Sequence, residues 1–587
     1  MLGSSPTPHF AASTRAIAAA AGLYATLAGI ATWPLLLHFG DQVPGSELWR
    51  SRTIYSESLL NLWNLWWFRH ALVDLSQDPF DCGYVLFPYG ANLWFHTLAP
   101  LHGLIGVFLQ TFASLAATQN LMLLLDLVLA GVCTYALASF FGLGRAGAWV
   151  AGAIYAFSPV VFAHLFAGHY ELIATYWIPA LLLAFLRLRE EPTPRASQGI
   201  GLGLLFVGAA YSSQYYFVYG IELLALAALS QARRVWRPSM LAPLAVAALV
   251  VAIGIAPFLW NFLGMSGPRP DESSALRADF GRYSGDAIGF AVPSFTHPIL
   301  SRPLYGLYDR LGAVRSLPQE STTYVGLCVL ALTALGVVVR RRARQPVGLL
   351  LGIGLVFSVL SLGSHLKVMG VQTGIPLPGL LFPELPILRL ARAPGRHIVV
   401  AMLGFAILAG AGWQCLPRRW LRAAALCLVA FEYAALPLPL ISTQVAPVYH
   451  RLAEIPGEFA VLEVPFGVRD GRGALGWPDN RQIFAQTVHG RPIVAAAVSR
   501  LPPEPWQVVR TTPVIGTLLN PQRATPEVRR RDRAEGPAFF SRWAIDAVVV
   551  HPSPRGRALQ AIVEDALTIR RRERFADGTQ LLWLTGP

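Results

Sequence analysis

Long apolar runs dominate the first three quarters of the chain. A segment of about 17–25 apolar residues is enough to cross the hydrocarbon core of a bilayer. Such runs lie at 16–37, 117–142, 146–166, 171–188, 198–216, 217–231, 240–263, 322–340, 347–363, 397–414 and 419–440. The pattern predicts an all-α polytopic membrane protein with about eleven transmembrane helices.

One further apolar run, 97–115, contains Pro100, His102 and Gln110. Arginines cluster between the apolar runs, and such clusters favour the cytoplasmic side. They fall on that side if the N-terminus is cytoplasmic and 97–115 does not cross. The clusters comprise Arg145, Arg187, Arg189, Arg195, Arg233, Arg234, Arg237, Arg340, Arg341, Arg342, Arg344, Arg418, Arg419 and Arg422. We therefore expect 97–115 to lie along, or dip into, the outer interface.

The pattern changes after residue 440. Short alternating runs such as 459–464 and 547–550 stand beside a helical run at 556–568. These features predict a small extracytoplasmic α/β domain over 441–587, after a polytopic domain over 1–440. The polytopic domain then has three long outer loops, at 38–116, 264–321 and 364–396.

Composition narrows the class of protein. Hydrophobic residues make up 54% of the 587-residue chain and charged residues only 14%, against about 25% charged in an average soluble domain. This excludes a soluble enzyme, a disordered chain and a nucleic-acid binder. The net charge of +14 is the charge expected of arginine-rich cytoplasmic loops.

The segment 57–72, ESLLNLWNLWWFRHAL, carries Trp63, Trp66 and Trp67 beside leucines at helical spacing. Tryptophan favours the headgroup boundary, so we interpret the segment as an amphipathic helix on the outer membrane face. The alternative is a helix packed inside a globular outer loop.

The first outer loop also holds the acids Asp41, Glu47 and Glu57. Glu57 stands where the tryptophan helix begins, and the helix dipole there favours its ionised form. An ionised carboxylate at a membrane boundary can act as a general base toward a hydroxyl. The alternative is an acid that only caps the helix.

Two other groups of polar residues lie at outer turns. His169 and Glu171 occupy a tight turn and could orient a substrate or contribute to a divalent-cation site, although the sequence assigns no third ligand. Arg389, Arg392 and Arg396 precede the span at 397–414 and could bind phosphate, with Glu320 available to pair with one of them. The alternative role of the arginines is to anchor lipid headgroups.

Ionisable residues inside the predicted spans are functional candidates by default. They are Asp126, His164, Glu222 and Glu432. A proton-coupled transporter would arrange such groups as a relay, but these four are scattered, and no repeat between chain halves is visible. Hydrogen bonds between neighbouring helices are the simpler explanation for some of them.

Local strings and the order of features resemble a known superfamily. The strings are Glu57-Ser-Leu-Leu-Asn-Leu-Trp-Asn-Leu-Trp-Trp, Phe87-Pro-Tyr-Gly, Phe95-His-Thr-Leu, Gly168-His-Tyr-Glu, Trp177-Ile-Pro, Pro293-Ser, His297-Pro, Glu320 before Tyr324-Val-Gly, Arg392-Ala-Pro-Gly-Arg and Gln486-Thr-Val-His-Gly-Arg-Pro-Ile. Together they resemble GT-C integral-membrane glycosyltransferases, and more closely the uncharacterised bacterial YfhO-like membrane proteins.

This resemblance implies a glycosyltransferase of the bacterial cytoplasmic membrane. It would move a sugar from a polyprenyl-phosphate donor to a glycan, lipid or protein acceptor on the outer face. An acid of the first outer loop, Glu57 here, would be the base; His169 and Glu171 would position the acceptor or a divalent cation. The arginines at 389, 392 and 396 would hold the donor phosphate. The alternatives are a transporter or flippase of lipid-linked saccharide, relying on Asp126 or Glu222, and a non-enzymatic envelope assembly protein.

Overall fold

The chain folds into two compact units, which we describe separately. The computed structural model describes residues 13–46, 48–49, 52–53, 57–230, 237–264, 272–311, 318–385, 387–471, 473–501 and 503–584. The first unit comprises Met1–Ser56, Asn120–Trp260 and Pro270–Ile441. The second comprises Glu57–Gln119, Asn261–Arg269 and Ser442–Pro587. Residues 57–119, which the sequence analysis assigns to the membrane domain, thus belong to the second unit.

A helix lies in each of the eleven predicted apolar runs. Their bounds are Thr14–Ala31, Leu115–Phe140, Arg145–Ala156 followed by Pro159–Ala167, Trp177–Glu190, Ala196–Ser212, Gln214–Ser230, Pro238–Gly264, Leu327–Arg342, Gly348–Ser361, Ile398–Gln414 and Arg419–Glu432. Several end earlier than predicted, because proline disfavours helix in the residue before it. The first helix ends at Ala31, shortly before Pro34, and the last ends at Glu432, before Pro437.

Short elements connect these helices in the first unit. Helices and 3₁₀ turns lie at Leu35–Leu37, Tyr170–Leu172, Glu272–Arg282, Ala287–Phe290, Tyr305–Arg310, Pro318–Ser321, Pro378–Glu384, Leu388–Leu390 and Pro394–His397. Strands lie at Gln42–Pro44, Leu48–Trp49, Arg52–Thr53, His365–Val368 and Val371–Pro376. A further strand, Leu440–Ser442, lies where the chain passes from the first unit to the second.

The helix Ile398–Gln414 forms the core of the first unit. It contains no charged residue, and every residue from Ile398 to Trp413 is buried. A helix that is apolar all round is stable only when it is enclosed. Here the helices Leu327–Arg342, Gly348–Ser361 and Arg145–Ala156 pack against it. The residues just before this helix are therefore held in a fixed position.

The outside of the first unit is apolar. The helix Pro238–Gly264 exposes Leu249, Ile253 and Trp260, and only 11% of its most apolar window is buried. Large uncovered apolar faces mark contact with a membrane or a partner. Six helices among the described residues are long and apolar enough to cross a bilayer. The protein is a membrane protein, as predicted, and the count of eleven spans stays a prediction.

The second unit contains a four-stranded mixed sheet. Its strand order is Arg571–Arg574, Gln580–Trp583, Ile545–Val550, Ala460–Val464. The last two strands are parallel and the other neighbours antiparallel. All five residues of Ala460–Val464 are buried, which is typical of a strand covered on both faces.

Shorter elements surround that sheet. A second sheet joins Ala474–Gly476, Gly467–Arg469 and Ala496–Ala497, and a hairpin joins Asp81–Cys82 to Ala91–Asn92. Helices and helical turns of the unit lie at Ser58–Arg69, His70–Asp74, Pro100–Leu109, Pro447–Glu454, Asn480–His489, Pro503–Thr511, Ile515–Leu519, Pro521–Arg523, Pro526–Arg542 and Pro554–Ala566.

The tryptophan helix Ser58–Arg69 is packed inside this unit, so the prediction that it lies on the membrane surface is wrong. Trp63 and Trp67 are fully buried, and their rings stack at 5.9 Å between centroids. The Trp63 indole N–H donates to Gln486 Oε1 at 2.7 Å, and the Trp67 indole to the Pro79 carbonyl at 2.8 Å. When a protein group accepts its indole N–H, a tryptophan side chain is as stable in a protein core as at the headgroup region of a membrane.

Helix Pro100–Leu109 is more compatible with a membrane interface than the tryptophan helix is. It exposes Leu104, Ile105 and Phe108, while Gly103 and Gly106 lie against Phe68 and Leu65 of the tryptophan helix. One face is thus packed and the other is apolar and uncovered. Its place at the outer membrane interface stays a prediction.

Candidate functional site

A buried ion pair in the first unit joins two of the residues predicted for the site. Arg396 Nε donates to Glu320 Oε2 at 2.6 Å, and Arg396 Nη2 donates to Glu320 Oε1 at 2.5 Å. Glu320 is 3% exposed. Two parallel charge-assisted hydrogen bonds of this kind fix the guanidinium plane as well as the charge. Glu320 and Arg396 are therefore held as one rigid group.

The local fold explains why these two residues meet. Arg396 lies in the turn Pro394–His397, directly before the enclosed helix Ile398–Gln414. A cation at a helix N-terminus is unfavourable, and the Glu320 carboxylate offsets it. Gly395 allows the approach, since a Cβ there would lie 2.0 Å from the Glu320 carbonyl oxygen.

Two histidines extend the cluster. His164 lies in the helix Pro159–Ala167, and His169 follows the turn at Gly168. Their Nδ1 atoms are 3.1 Å apart, and His169 Nδ1 is 3.6 Å from Glu320 Oε1. A hydrogen bond between two imidazole nitrogens requires one to donate and the other to accept. One of the two Nδ1 atoms therefore carries a hydrogen close to the ion pair.

Charge and shape around the cluster set what it can do. Burial would raise the pKa of the Glu320 carboxyl, but the charge and hydrogen bonds of Arg396 outweigh burial and hold that pKa well below its usual value. The Arg396 guanidinium lies over the Tyr215 ring, 4.4 Å from its centroid. Arg396, His164, Tyr216 and Tyr219 line a small cavity with apolar walls.

Arg396 keeps one end of its guanidinium available. The hydrogen bonds to Glu320 use Nε and Nη2. Within the part of the chain that the structure describes, no hydrogen bond involves Nη1. An arginine that is oriented by one carboxylate can still offer a second edge to an anion.

Two histidines and a carboxylate are also ligands that a divalent cation could use. Ligand atoms of His164, His169 and Glu320 all lie within 4.8 Å of one another. However, both oxygens of Glu320 accept from Arg396, so a cation would share this carboxylate with a guanidinium and be repelled by its charge. These three residues, as placed, do not fit a divalent cation. Glu171 does not belong to this group, and the predicted cation stays without a defined set of ligands.

The other predicted residues of the first unit lie as follows. Arg392 Nη1 is 3.6 Å from Asp279 Oδ2, and Arg389 lies half-buried in the turn Leu388–Leu390. Glu171 is buried in the turn Tyr170–Leu172, beside His169. Asp41 is exposed, and Glu47 falls outside the described residues. Of the predicted residues, His169, Glu320 and Arg396 lie together in one cluster.

Glu57 belongs to the second unit. It precedes the helix Ser58–Arg69, and its side chain makes no capping hydrogen bond. Instead its main-chain carbonyl accepts from the Asn61 amide N–H at 2.9 Å. Burial lowers the pKa of His96 to about 4, and the charge of Glu57 partly opposes this shift. The capping alternative for the Glu57 side chain is therefore not what the structure shows.

The ionisable residues within the predicted spans have separate surroundings. His164 joins the cluster. Glu432 accepts from the Cys328 N–H, at 3.1 Å for the nearer oxygen, and so serves the N-terminus of the helix Leu327–Arg342. Glu222 Oε2 lies 3.1 Å from Nε2 of the fully buried His397. The sequence analysis named His164 only as an ionisable residue within a span, and it did not name Tyr215. The spacing of His164 and His169 around Gly168 is the signal that joins His164 to the site.

Comparison with known proteins places the chain in a family. A family model described as a domain of unknown function, DUF6311, matches residues 16–432. The chain therefore belongs to the DUF6311 family. No curated protein matches its sequence significantly. The resemblance to YfhO-like proteins stays a prediction.

Solved structures show the fold. A cryo-EM structure of the arabinofuranosyltransferase AftD from Mycobacteria (mutant R1389S, class 2) matches with a TM-score of 0.57 and 14% identity, covering 98% of this chain and 42% of AftD. A second AftD structure gives 0.54 and 14%, covering 99% and 40%. The chain spans about two fifths of the AftD chains it matches. The oligosaccharyltransferase AglB from Archaeoglobus fulgidus gives 0.48 at 12% identity, with 91% and 69% covered, which is too weak to establish a shared fold.

Proposed function

We propose that this protein is a GT-C-type membrane glycosyltransferase that moves a sugar from a polyprenyl-phosphate donor to an acceptor. The observation that carries the proposal is the fold, which matches AftD over 98% of the chain. AftD is named as an arabinofuranosyltransferase; the sugar moved by this chain is open. We place the reaction on the outer face of a bacterial cytoplasmic membrane, with the N-terminus inside and residues 441–587 outside.

The reaction needs a base and a phosphate-binding group. A carboxylate takes the proton of an acceptor hydroxyl, and the oxygen attacks the anomeric carbon of the donor. The bond from that carbon to the phosphate oxygen breaks, and polyprenyl phosphate leaves with the bonding electron pair. We assign the base to Glu57, the first-loop acid that the sequence resemblance indicates.

The phosphate-binding role falls to Arg396, assisted by Arg392 and Arg389. Arg396 Nη1 is available among the described residues, and Glu320 fixes the orientation of the guanidinium. His164 and His169 lie next to this pair, joined by a contact of 3.1 Å between their Nδ1 atoms. Glu320 is then a positioning residue, because it acts through Arg396.

The direct test replaces Glu57 in a deletion strain. Wild-type protein should restore the surface glycan, and Glu57→Gln should leave both the glycan defect and the accumulated lipid-linked sugar. Loss of a general base lowers the rate by about 10²–10⁴-fold. Mass spectrometry of lipid-linked sugars and surface glycans gives the readout. Asp41→Asn, an exposed acid of the same predicted loop, is the matched control.

A flippase of lipid-linked saccharide is the second candidate, favoured by the buried pair of Glu222 and His397. A flippase would need this pair to change charge as helices move, and would not need a base at Glu57. If Glu57→Gln restores the glycan fully while Glu222→Gln does not, the flippase is correct and the glycosyltransferase proposal fails.

A further inference from the structure

The second unit has an open pocket of about 360 Å³ with a basic lining. Small-molecule sites typically enclose about 300–1,000 Å³. The pocket lies among the helices Pro503–Thr511, Ile515–Leu519 and Pro526–Arg542 and the turn Pro521–Arg523. Three arginines line it, at positions 510, 523 and 531, and no acidic residue does so within the described ranges.

The arginines keep most of their charge available. Over the described part of the chain, neither Arg510 nor Arg523 has an ion pair, and the Asn520 amide makes no side-chain hydrogen bond. Arg531 lies 3.7 Å from the Asp532 carboxylate, at the edge of ion-pair distance. Arg510 and Arg523 face the same cavity as Arg531 without an acid of their own, so the like charges repel one another, and a bound anion would relieve that repulsion.

The floor of the pocket is rigid. The buried Asp532 carboxylate accepts from the Val514 N–H at 2.9 Å and from the Thr517 hydroxyl at 2.5 Å, so it is already satisfied. Gly516 lies against the preceding helix, where a Cβ would stand 2.2 Å from the Arg510 carbonyl oxygen. The main chain that carries Arg510 is thereby fixed to the floor.

The lining also indicates the kind of anion. No aromatic ring lines the pocket among the described residues, so it offers no platform for stacking a nucleobase. Thr511 and Asn520 offer hydrogen bonds suited to hydroxyls, and Leu475, Leu519 and Val528 offer apolar surface for C–H groups. The pocket is concave, whereas a membrane-binding surface presents exposed apolar side chains.

We infer that this pocket binds an oligosaccharide that carries carboxylate or phosphate groups. The arginines hold the charged groups, and the polar and apolar lining accommodates the sugar rings. Binding here is distinct from the proposed transfer and does not depend on it. If both proposals are correct, anionic glycans are the acceptor class.

The test uses the full-length protein in nanodiscs and a short oligogalacturonate as probe. We expect the double variant Arg510→Gln/Arg523→Gln to bind it about tenfold more weakly or worse, since hydrogen bonds to charged groups are the strong ones. The matched control is Arg557→Gln/Arg570→Gln, which removes two exposed arginines of the same unit from outside the pocket. Equal melting temperatures of the two variants exclude a folding defect.

Three further probes define the ligand. A neutral malto-oligosaccharide of the same length, inorganic phosphate and phosphatidylglycerol vesicles should each bind more weakly than the oligogalacturonate. Equal loss in the control variant would show a general charge effect and overturn the proposal. Equal binding of the neutral sugar or of inorganic phosphate would overturn it too, as would binding of the vesicles without binding of the saccharide. No step measures glycosyl transfer, so failure here is distinguishable from failure of Glu57→Gln.

Discussion

Arginines in the two units have opposite surroundings. In the first unit, Arg396 is largely buried and gives two short hydrogen bonds to Glu320. In the second unit, Arg510 and Arg523 are exposed at a pocket and have no ion pair among the described residues. Arg396 has a counter-charge within the fold, the Glu320 carboxylate. Among the described residues, Arg510 and Arg523 have none.

The surroundings of an arginine decide what its charge can do. A buried charge requires a partner in the native state, because burying it alone is strongly unfavourable. The guanidinium of Arg396 is therefore held in one orientation by Glu320. Replacing Glu320 should lower the stability of the fold. An exposed arginine keeps its charge for a ligand and contributes little to folding.

Glu320→Gln should give the largest loss of stability. It leaves the Arg396 cation buried without a counter-charge, and breaking a buried pair in this way typically lowers the free energy of unfolding by about 3–5 kcal/mol. Denaturant unfolding of the detergent-solubilised protein measures it. The double variant Glu320→Gln/Arg396→Gln should recover much of the loss, because no charge is left unpaired. Wild-type stability of Glu320→Gln would show that the pair does not hold the fold.

The sequence predicted the helices well and their packing poorly. Each apolar run contains a helix, because hydrophobicity over about 20 residues is a local property. The tryptophan pattern of 57–72 did not separate a lipid interface from a protein core, since both accept a ring with a satisfied N–H. The partner of Trp63 is Gln486, and no local pattern connects residues so far apart.

The candidate site was predicted in part for the same reason. Single polar residues at the ends of apolar runs were visible, among them His169, Glu320 and Arg396. Their geometry was not, because Glu320 and Arg396 meet through an approach that Gly395 allows. No sequence motif indicated the pocket at Arg510 and Arg523, because it is formed by the packing of several short helices.

Buried histidines in the two units also differ in their surroundings, and one of them should make stability depend on pH. His169 lies beside the Glu320 carboxylate, whereas His96 lies between neutral partners, with Nε2 at 2.9 Å from Asn64 Oδ1 and Nδ1 at 3.1 Å from Ser499 Oγ. Burial lowers the pKa of His96 from its ordinary 6.5 to about 4. The unfolded chain therefore takes up this proton first as the pH falls. The contribution of His96 to the stability of the second unit should be full above about pH 6.5 and be lost toward pH 4, by up to about 1.4 kcal/mol per pH unit.

Hydrogen exchange of peptides from the second unit, followed across this pH range, measures that loss. His96→Gln should make the slope shallower by about one proton. His489, whose pKa burial lowers to about 3, still titrates in this variant and should leave a smaller slope. An unchanged slope in His96→Gln would show that His96 is not the group responsible.

Arg396→Lys should weaken phosphate binding with less harm to the fold. Lysine keeps the charge but loses the planar fork that pairs with Glu320 and presents Nη1. We expect the Kd of the purified protein for polyprenyl phosphate to rise about tenfold, the equivalent of about 1.4 kcal/mol. Arg389→Lys is the matched variant on the same predicted loop. A larger loss at Arg389 than at Arg396 would move the phosphate site to the turn Leu388–Leu390.

The smallest effect on stability should come from the pocket arginines. Arg510→Gln/Arg523→Gln removes two exposed cations that have no ion pair among the described residues, and surface changes of this kind usually alter the free energy of unfolding by less than about 0.5 kcal/mol. Removing mutual repulsion can even stabilise the unit slightly. Denaturant unfolding, on the same preparation as Glu320→Gln, gives the comparison. A decrease of more than about 2 kcal/mol in the free energy of unfolding would show that these arginines stabilise the fold. Their charge would then not be available to a ligand.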